Sequence, residues 1–293
     1  MISKMILPAL CLFALLPPGV LAQNGGRGQA AEALERMGRA LVEMPASEED
    51  FSPLDEYILG RAVGVEVLNR YRPLRNNAAL TGYLNRICEA VVANSPNPVL
   101  YNGYHVMILD SPQINAFATS GGHIFVTMGL VGCADSEDAL AAVIAHEIAH
   151  VQLRHSMTAL RTARTVAQLR ALGNESARRA AQFQPIDERR RAFEESIRVS
   201  VDSMLDNGYS QTQEFEADAL ALELLRRAGY RPAALMDMLR ALQQRQGVVT
   251  GGFNSTHPAP ALRMGNAEAL LRSMPGSRDT AASRLARFRE LRR

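Results

Sequence analysis

From Asp135 to Val151 the chain carries one helical pattern in which the apolar positions Leu140, Val143, Ile144, Ile148 and Val151 flank two histidines, His146 and His150. Asp135 and Ser136 supply a cap, and Glu137 and Asp138 place negative charge in the first turn. Apolar flanks on both sides make this a central helix. One helical turn separates the two imidazoles, so they share a side on which a single cation can be bound. Any fold for this chain must therefore bury a helix with two polar rings in its middle and give those rings partners.

The rest of the 293 residues is ordinary globular material, 47% hydrophobic and 21% charged, enough for a packed core. A net charge of +2, 5% aromatics and no Trp argue against nucleic-acid binding. Helical spacing recurs from Leu54 to Asn69 and from Ala78 to Ala93. The segments Tyr104 to Leu109, Ile114 to Ala118 and His123 to Met128 are short and β-rich, with turns at Ser111-Pro112 and Ser120-Gly121-Gly122. A small, antiparallel-rich sheet follows from that order. Ser210 and Gln213 have capping-box spacing before a helix that stops at Gly229. Another helix starts at Pro232, and His257-Pro258 opens the last substantial one. The expected class is α+β, mostly α.

Met1 to Ala22 combines a short basic head, an apolar run too short to span a bilayer and small residues before Gln23. This is the form of a secretory signal peptide cleaved after Ala22, and it implies a periplasmic or secreted protein. Residues 23–46 read as a flexible lead-in and an amphipathic helix, and residues 47–275 as the folded domain. Within it, residues 154–205 form an Arg-rich helical insertion, a solvated face or an attraction for an acidic partner. Residues 276–293 read as a basic tail. No later stretch reaches roughly 18 uninterrupted apolar residues, so no transmembrane segment is expected in the mature chain. Cys88 and Cys133 could form a disulfide in an oxidising compartment or remain two buried thiols.

His146-Glu147-Ile148-Ala149-His150 matches the His-Glu-x-x-His pattern in which both histidines hold zinc and the glutamate is a general base. A catalytic zinc usually takes a third protein ligand and leaves its fourth position open. His155 is nearby but lies five residues after His150, without the intervening Gly of the metzincin spacing. It reads as a supporting or surface residue. Glu214, in Gln213-Glu214-Phe215-Glu216-Ala217-Asp218, shares a helix face with Asp218, while Glu216 points away from both. Glu214 could bind the metal with Asp218 orienting a ligand imidazole, or the acidic run could simply favour a helix N-terminus.

The runs Ile114-Asn-Ala-Phe-Ala-Thr-Ser-Gly-Gly-His-Ile-Phe-Val, Ala145-His-Glu-Ile-Ala-His-Val, Glu214-Phe-Glu-Ala-Asp218 and His257-Pro258, in that order, resemble the HtpX-like and BepA-like zinc peptidases. These belong to metallopeptidase family M forty-eight, with the CAAX prenyl protease and Oma-type mitochondrial enzymes as relatives. The resemblance covers about Leu54 to Met274. It implies a gluzincin-type domain with one zinc per chain on His146, His150 and Glu214, Glu147 as base and Asp218 in support. By the same resemblance, Asn115, Ala116 and Phe117 lie on an edge strand that an extended peptide could join, although from the residues alone this could equally be a buried structural strand in which Asn115 and Phe117 serve packing. His257 is expected either to stabilise the oxyanion or to fill the open zinc position and hold the enzyme latent, as the corresponding His does in BepA-like relatives. Arg263 is the second candidate for the oxyanion. The chain reads as an exported member without internal spans or a repeat domain. Its substrates would be polypeptides, such as misfolded or unassembled envelope proteins, with peripheral or outer-membrane assembly partners possible. A chaperone-like assembly factor that seldom cuts is the alternative.

Overall fold

The computed structural model describes residues 52–158, 195, 197–199, 201–202, 208–245, 256–257, 260–275 and 281–291. The expected signal peptide and lead-in, and most of the Arg-rich insertion, lie outside the described residues.

Two helices come first, α1 (Pro53–Arg70) and α2 (Ala78–Ala93), the second capped by the Asn77 side chain accepting from the Leu80 amide. Three strands follow, β1 (His105–Leu109), β2 (Ala116–Thr119) and β3 (His123–Thr127). A single turn, α3 (Met128–Val131), leads into α4 (Glu137–Gln152). Beyond it stand α5 (Gln211–Arg227), α6 (Ala234–Gln244), α7 (Pro260–Ser273) and α8 (Ala281–Leu291). None of the described helices is long and apolar enough to cross a membrane.

The sheet runs β1-β3-β2. β2 and β3 form the expected antiparallel hairpin, its reversal made by Gly121 and Gly122 at φ 80 and 83, values that side-chain-bearing residues rarely adopt. β1 pairs parallel with β3, so the sheet is mixed rather than purely antiparallel. Turn signals in the sequence fix only neighbouring strands, and the longer connection from β1 to β2 lets β3 insert between them. Alternation along the strands separates two cores. Val106, Ile108, Ala116, Ala118, Ile124 and Val126 join the main core around α4, while Leu109, Phe117 and Phe125 join a second one with Leu59, Val63 and Val67 of α1.

Helix α4 is buried along nearly its whole length, from Glu137 to Val151. Small residues on both partners, Ala116 and Ala118 on β2 and Ala141, Ala142, Ala145 and Ala149 on α4, let the elements approach closely. Its N-terminus is held from far along the chain. Arg284 of α8 donates twice to Asp138, at 2.9 and 3.0 Å, and Arg287 donates twice to Glu137, at 3.1 and 2.7 Å. The Tyr83 hydroxyl adds a 2.8 Å bond to Glu137. The segment read from sequence as a basic tail thus contains a docked helix with Arg284 and Phe288 buried, because its arginines answer two buried carboxylates. Cys88 and Cys133 are two separate buried thiols, with no disulfide between them.

Candidate metal centre

Two turns of α4 and the first turns of α5 meet at the centre of the molecule. The expected capping box at Ser210 and Gln213 starts α5, and this fixes Glu214 and Asp218 on the face turned toward α4. His146, His150, Glu214 and His257 each offer one ligand atom, and the four atoms lie within 4.8 Å of one another. All four side chains are buried. His146 Nε2 is 3.0 Å from His150 Nε2 and 3.4 Å from Glu214 Oε2. Convergent imidazoles and a carboxylate, all buried, fit a divalent metal of intermediate softness.

The electrostatics favour the same use. Burial opposes charge on Glu214, yet His257, His146 and His150 around it hold its carboxyl well below the usual range, so it is anionic. Burial and the neighbouring His146 push His150 well below the ordinary histidine range, leaving a neutral ring able to donate a lone pair. His146 differs: burial and Arg263 lower it, but bonding to Asp218 and Glu214 outweighs them and lifts it to about 9. A metal arriving there must displace a proton. Glu147 is fully buried, and neither of its carboxylate oxygens has a hydrogen-bond partner among the described residues. Burial raises its pKa, which strengthens it as a base. A buried carboxylate with no hydrogen bond among the described residues is costly unless a ligand completes it.

The supporting residues divide by task. His146 Nδ1 is 3.0 Å from Asp218 Oδ1, and Arg263 grips Asp218 with two bonds of 2.8 and 2.5 Å. Burial opposes ionisation of Asp218, but Arg263 overrides it and brings its pKa to about 2. Arg263 Nη1 also lies 3.2 Å from Glu214 Oε2, so this arginine clamps both carboxylates from behind the cluster. With His146, Glu147 and apolar residues of α6, among them Leu235, Met238 and Leu239, it lines a small cavity next to the site.

His257 Nδ1 lies 2.8 Å from Glu214 Oε1, and its Nε2 lies 3.3 Å from the Ala116 carbonyl and 3.9 Å from Glu147 Oε1. Its neighbour Thr256 donates to Asn115 Oδ1 at 3.0 Å and accepts from the Tyr209 amide at 3.2 Å. Gly208, at φ 63, makes room for this approach, since a Cβ there would stand 2.0 Å from the Thr256 carbonyl oxygen. β2 is an edge by strand order, yet Asn115, Ala116 and Phe117 are at most 2% exposed. Residues 256–257 lie along Asn115 and Ala116, and Phe117 points the other way, stacked on Phe125 at 5.4 Å.

A model of the family described as Peptidase family M48 matches residues 78–271, the stretch that holds α4, α5 and most of α7. The chain belongs to Peptidase family M48. It is 28% identical over 242 residues to the beta-barrel assembly-enhancing protease of Escherichia coli K12, covering 82% of this chain and 49% of that protein. It is 31% identical over 225 residues to the putative beta-barrel assembly-enhancing protease of Vibrio cholerae, covering 75% and 45%. Identity to the mitochondrial metalloendopeptidase OMA1 of Schizosaccharomyces pombe is 29% over 220 residues, covering 74% and 61%. The chain spans about half the length of the bacterial relatives it matches. Within the M48 family match the sequence motifs point to the residues that converge; His155, expected as a supporting or surface residue, is buried with its Nδ1 2.9 Å from His150 Nδ1, and Tyr209 carries no motif that marks it. Tyr209 stacks on His150 with ring centroids 4.1 Å apart.

Proposed function

We propose that this chain is a zinc-dependent endopeptidase of exported polypeptides, with misfolded or unassembled envelope proteins as its substrates. The observation that carries the reading is the buried convergence of His146, His150 and Glu214 beside Glu147, whose two oxygens accept no hydrogen bond among the described residues. Zinc held by those three side chains supplies Lewis acidity to a scissile carbonyl and makes a water molecule acidic near neutral pH. Glu147 takes the proton of the attacking water on its carboxylate and returns it to the departing amine. Asp218 and Arg263 keep His146 in the orientation that ligation needs. An extended substrate would pair along β2, using backbone groups and little side-chain selection.

The Thr256–His257 contacts support a resting state in which His257 occupies the fourth ligand position and covers part of β2, so that cleavage requires this segment to move away. A holding factor that seldom cuts would draw on the same closed arrangement, but it has no use for a base beside the metal ligands. The signal-peptide character of Met1 to Ala22 supports export to the periplasm or beyond. The names of the bacterial relatives support substrates in outer-membrane assembly.

The test is degradation of casein and of an unfolded outer-membrane protein by the purified chain, with and without chelator, followed by restoration with zinc. Cleavage that is lost with chelator, restored by zinc and absent in Glu147→Gln is expected. Cleavage indifferent to chelator would overturn the assignment.

A further inference from the structure

The two ring nitrogens of His150 have different neighbours. Nε2 faces the cluster, 3.0 Å from His146 Nε2 and 3.4 Å from Glu214 Oε1. Nδ1 faces away and lies 2.9 Å from Nδ1 of His155. An imidazole that gives its Nε2 lone pair to a cation carries its proton on Nδ1 and donates from there. His155 Nδ1 must then accept, which puts the His155 proton on Nε2, and that atom lies 3.3 Å from Glu216 Oε2. One arrangement of protons satisfies all three contacts.

The backbone is shaped to make this meeting possible. Five residues along a continuous helix would carry His155 about 140° around the axis from His150. Instead α4 ends at Gln152, and Arg154 takes φ 56, a left-handed conformation uncommon for a residue with a side chain. That reversal brings His155 back beneath His150, where it is 4% exposed. Arg154 is held in place by an ion pair to Glu56 of α1. Tyr209 stacks on the His150 ring and lies 5.9 Å from the His155 ring, limiting rotation of both. Helices commonly end on a left-handed residue just past the cap, and here that turn is what aims His155 at His150.

We propose that His155, backed by Glu216, is the positioning residue of His150: its Nδ1 accepts a hydrogen bond from His150 Nδ1–H and fixes the ring with Nε2 turned into the cluster. This rests on the reading of the cluster as a metal site. The two imidazoles are then supported unequally. His146 leans directly on a carboxylate, whereas His150 reaches one only through a second imidazole, whose carboxylate on α5 is 55% exposed.

The test is zinc affinity of the purified full chain, measured by competition with a chelator of known affinity. His155→Phe keeps a ring of similar size beside Tyr209 but removes the acceptor, and about 10–100-fold weaker zinc binding is expected. His155→Asn places an oxygen near the lost Nδ1 and should bind within a few-fold of the parent. A packing role alone gives the opposite order, with Phe tolerated and Asn harmful, and that order would overturn the proposal. Should the Phe variant not fold, Glu216→Ala, changed at the surface, carries the test: a several-fold loss of affinity is expected, and parent-like affinity would refute the relay. If the parent itself binds no zinc, cobalt or manganese, the metal reading fails first, and the two failures are told apart.

Discussion

His257 Nδ1 stands 2.8 Å from Glu214 Oε1, although the two residues belong to segments 43 positions apart. In the resting state proposed above, this ring would compete for the position that a substrate carbonyl needs. The expected outcome for His257→Ala is therefore faster peptide cleavage with zinc content unchanged, measured on a quenched fluorescent peptide. The opposite role predicts a loss of about 10²–10³ in turnover, as for removal of an oxyanion donor. A loss of that size with zinc retained would exclude latency.

Glu147 and Glu214 differ in what each should remove. Glu147→Gln keeps size and burial, so zinc content should stay near one per chain while turnover falls by about 10²–10⁴ or more. Glu214→Ala deletes a buried anion from between two imidazoles, and zinc should be lost on dialysis. Metal analysis beside the activity assay checks both, and zinc loss in Glu147→Gln would remove the base from its assigned place.

Arg284 and Asp138 are both more than nine-tenths buried and pair through two bonds. Arg284→Ala leaves Asp138 charged without its main partner, and a destabilisation of about 3–5 kcal/mol is expected in urea unfolding. Combined with Asp138→Ala, the loss should be clearly smaller than the sum of the two single changes. Additive losses would show that the pair is not coupled.

Burial pushes the Cys88 thiol up to about 12, and burial also raises that of Cys133. Because the thiolate is the reactive form, neither should react quickly with a thiol reagent at pH 8 in the folded chain, and both should react once it is unfolded. Rapid labelling of Cys88 in the native protein would contradict its packing among Leu84, Ile87 and Val91.

Much of the centre was legible because short-range rules govern it. The spacing of His146 and His150, and the capping box that phases Glu214 and Asp218, are helix periodicities, and those residues converge as periodicity requires. His155 was harder to read because its meeting with His150 depends on a left-handed Arg154, a residue type that carries no signal for that conformation. The partners of Glu137 and Asp138 were hidden for a similar reason. Acids in a first turn look like ordinary companions of the helix dipole, and Arg284 looks like part of a basic tail, until Glu137, Asp138 and Arg284 are seen to be buried. The parallel pairing of β1 with β3 left no trace in the turns, which report only on neighbours in sequence.

The ties from α8 to the head of α4 also set an order in time. Asp138 waits for an arginine made 146 residues later, and Glu137 for one 150 residues later. A chain emerging from a ribosome presents His146 and His150 long before Arg284 and Arg287 arrive to anchor the helix that bears them. The head of the helix that bears both histidines is therefore pinned only once nearly all of the described residues have been made.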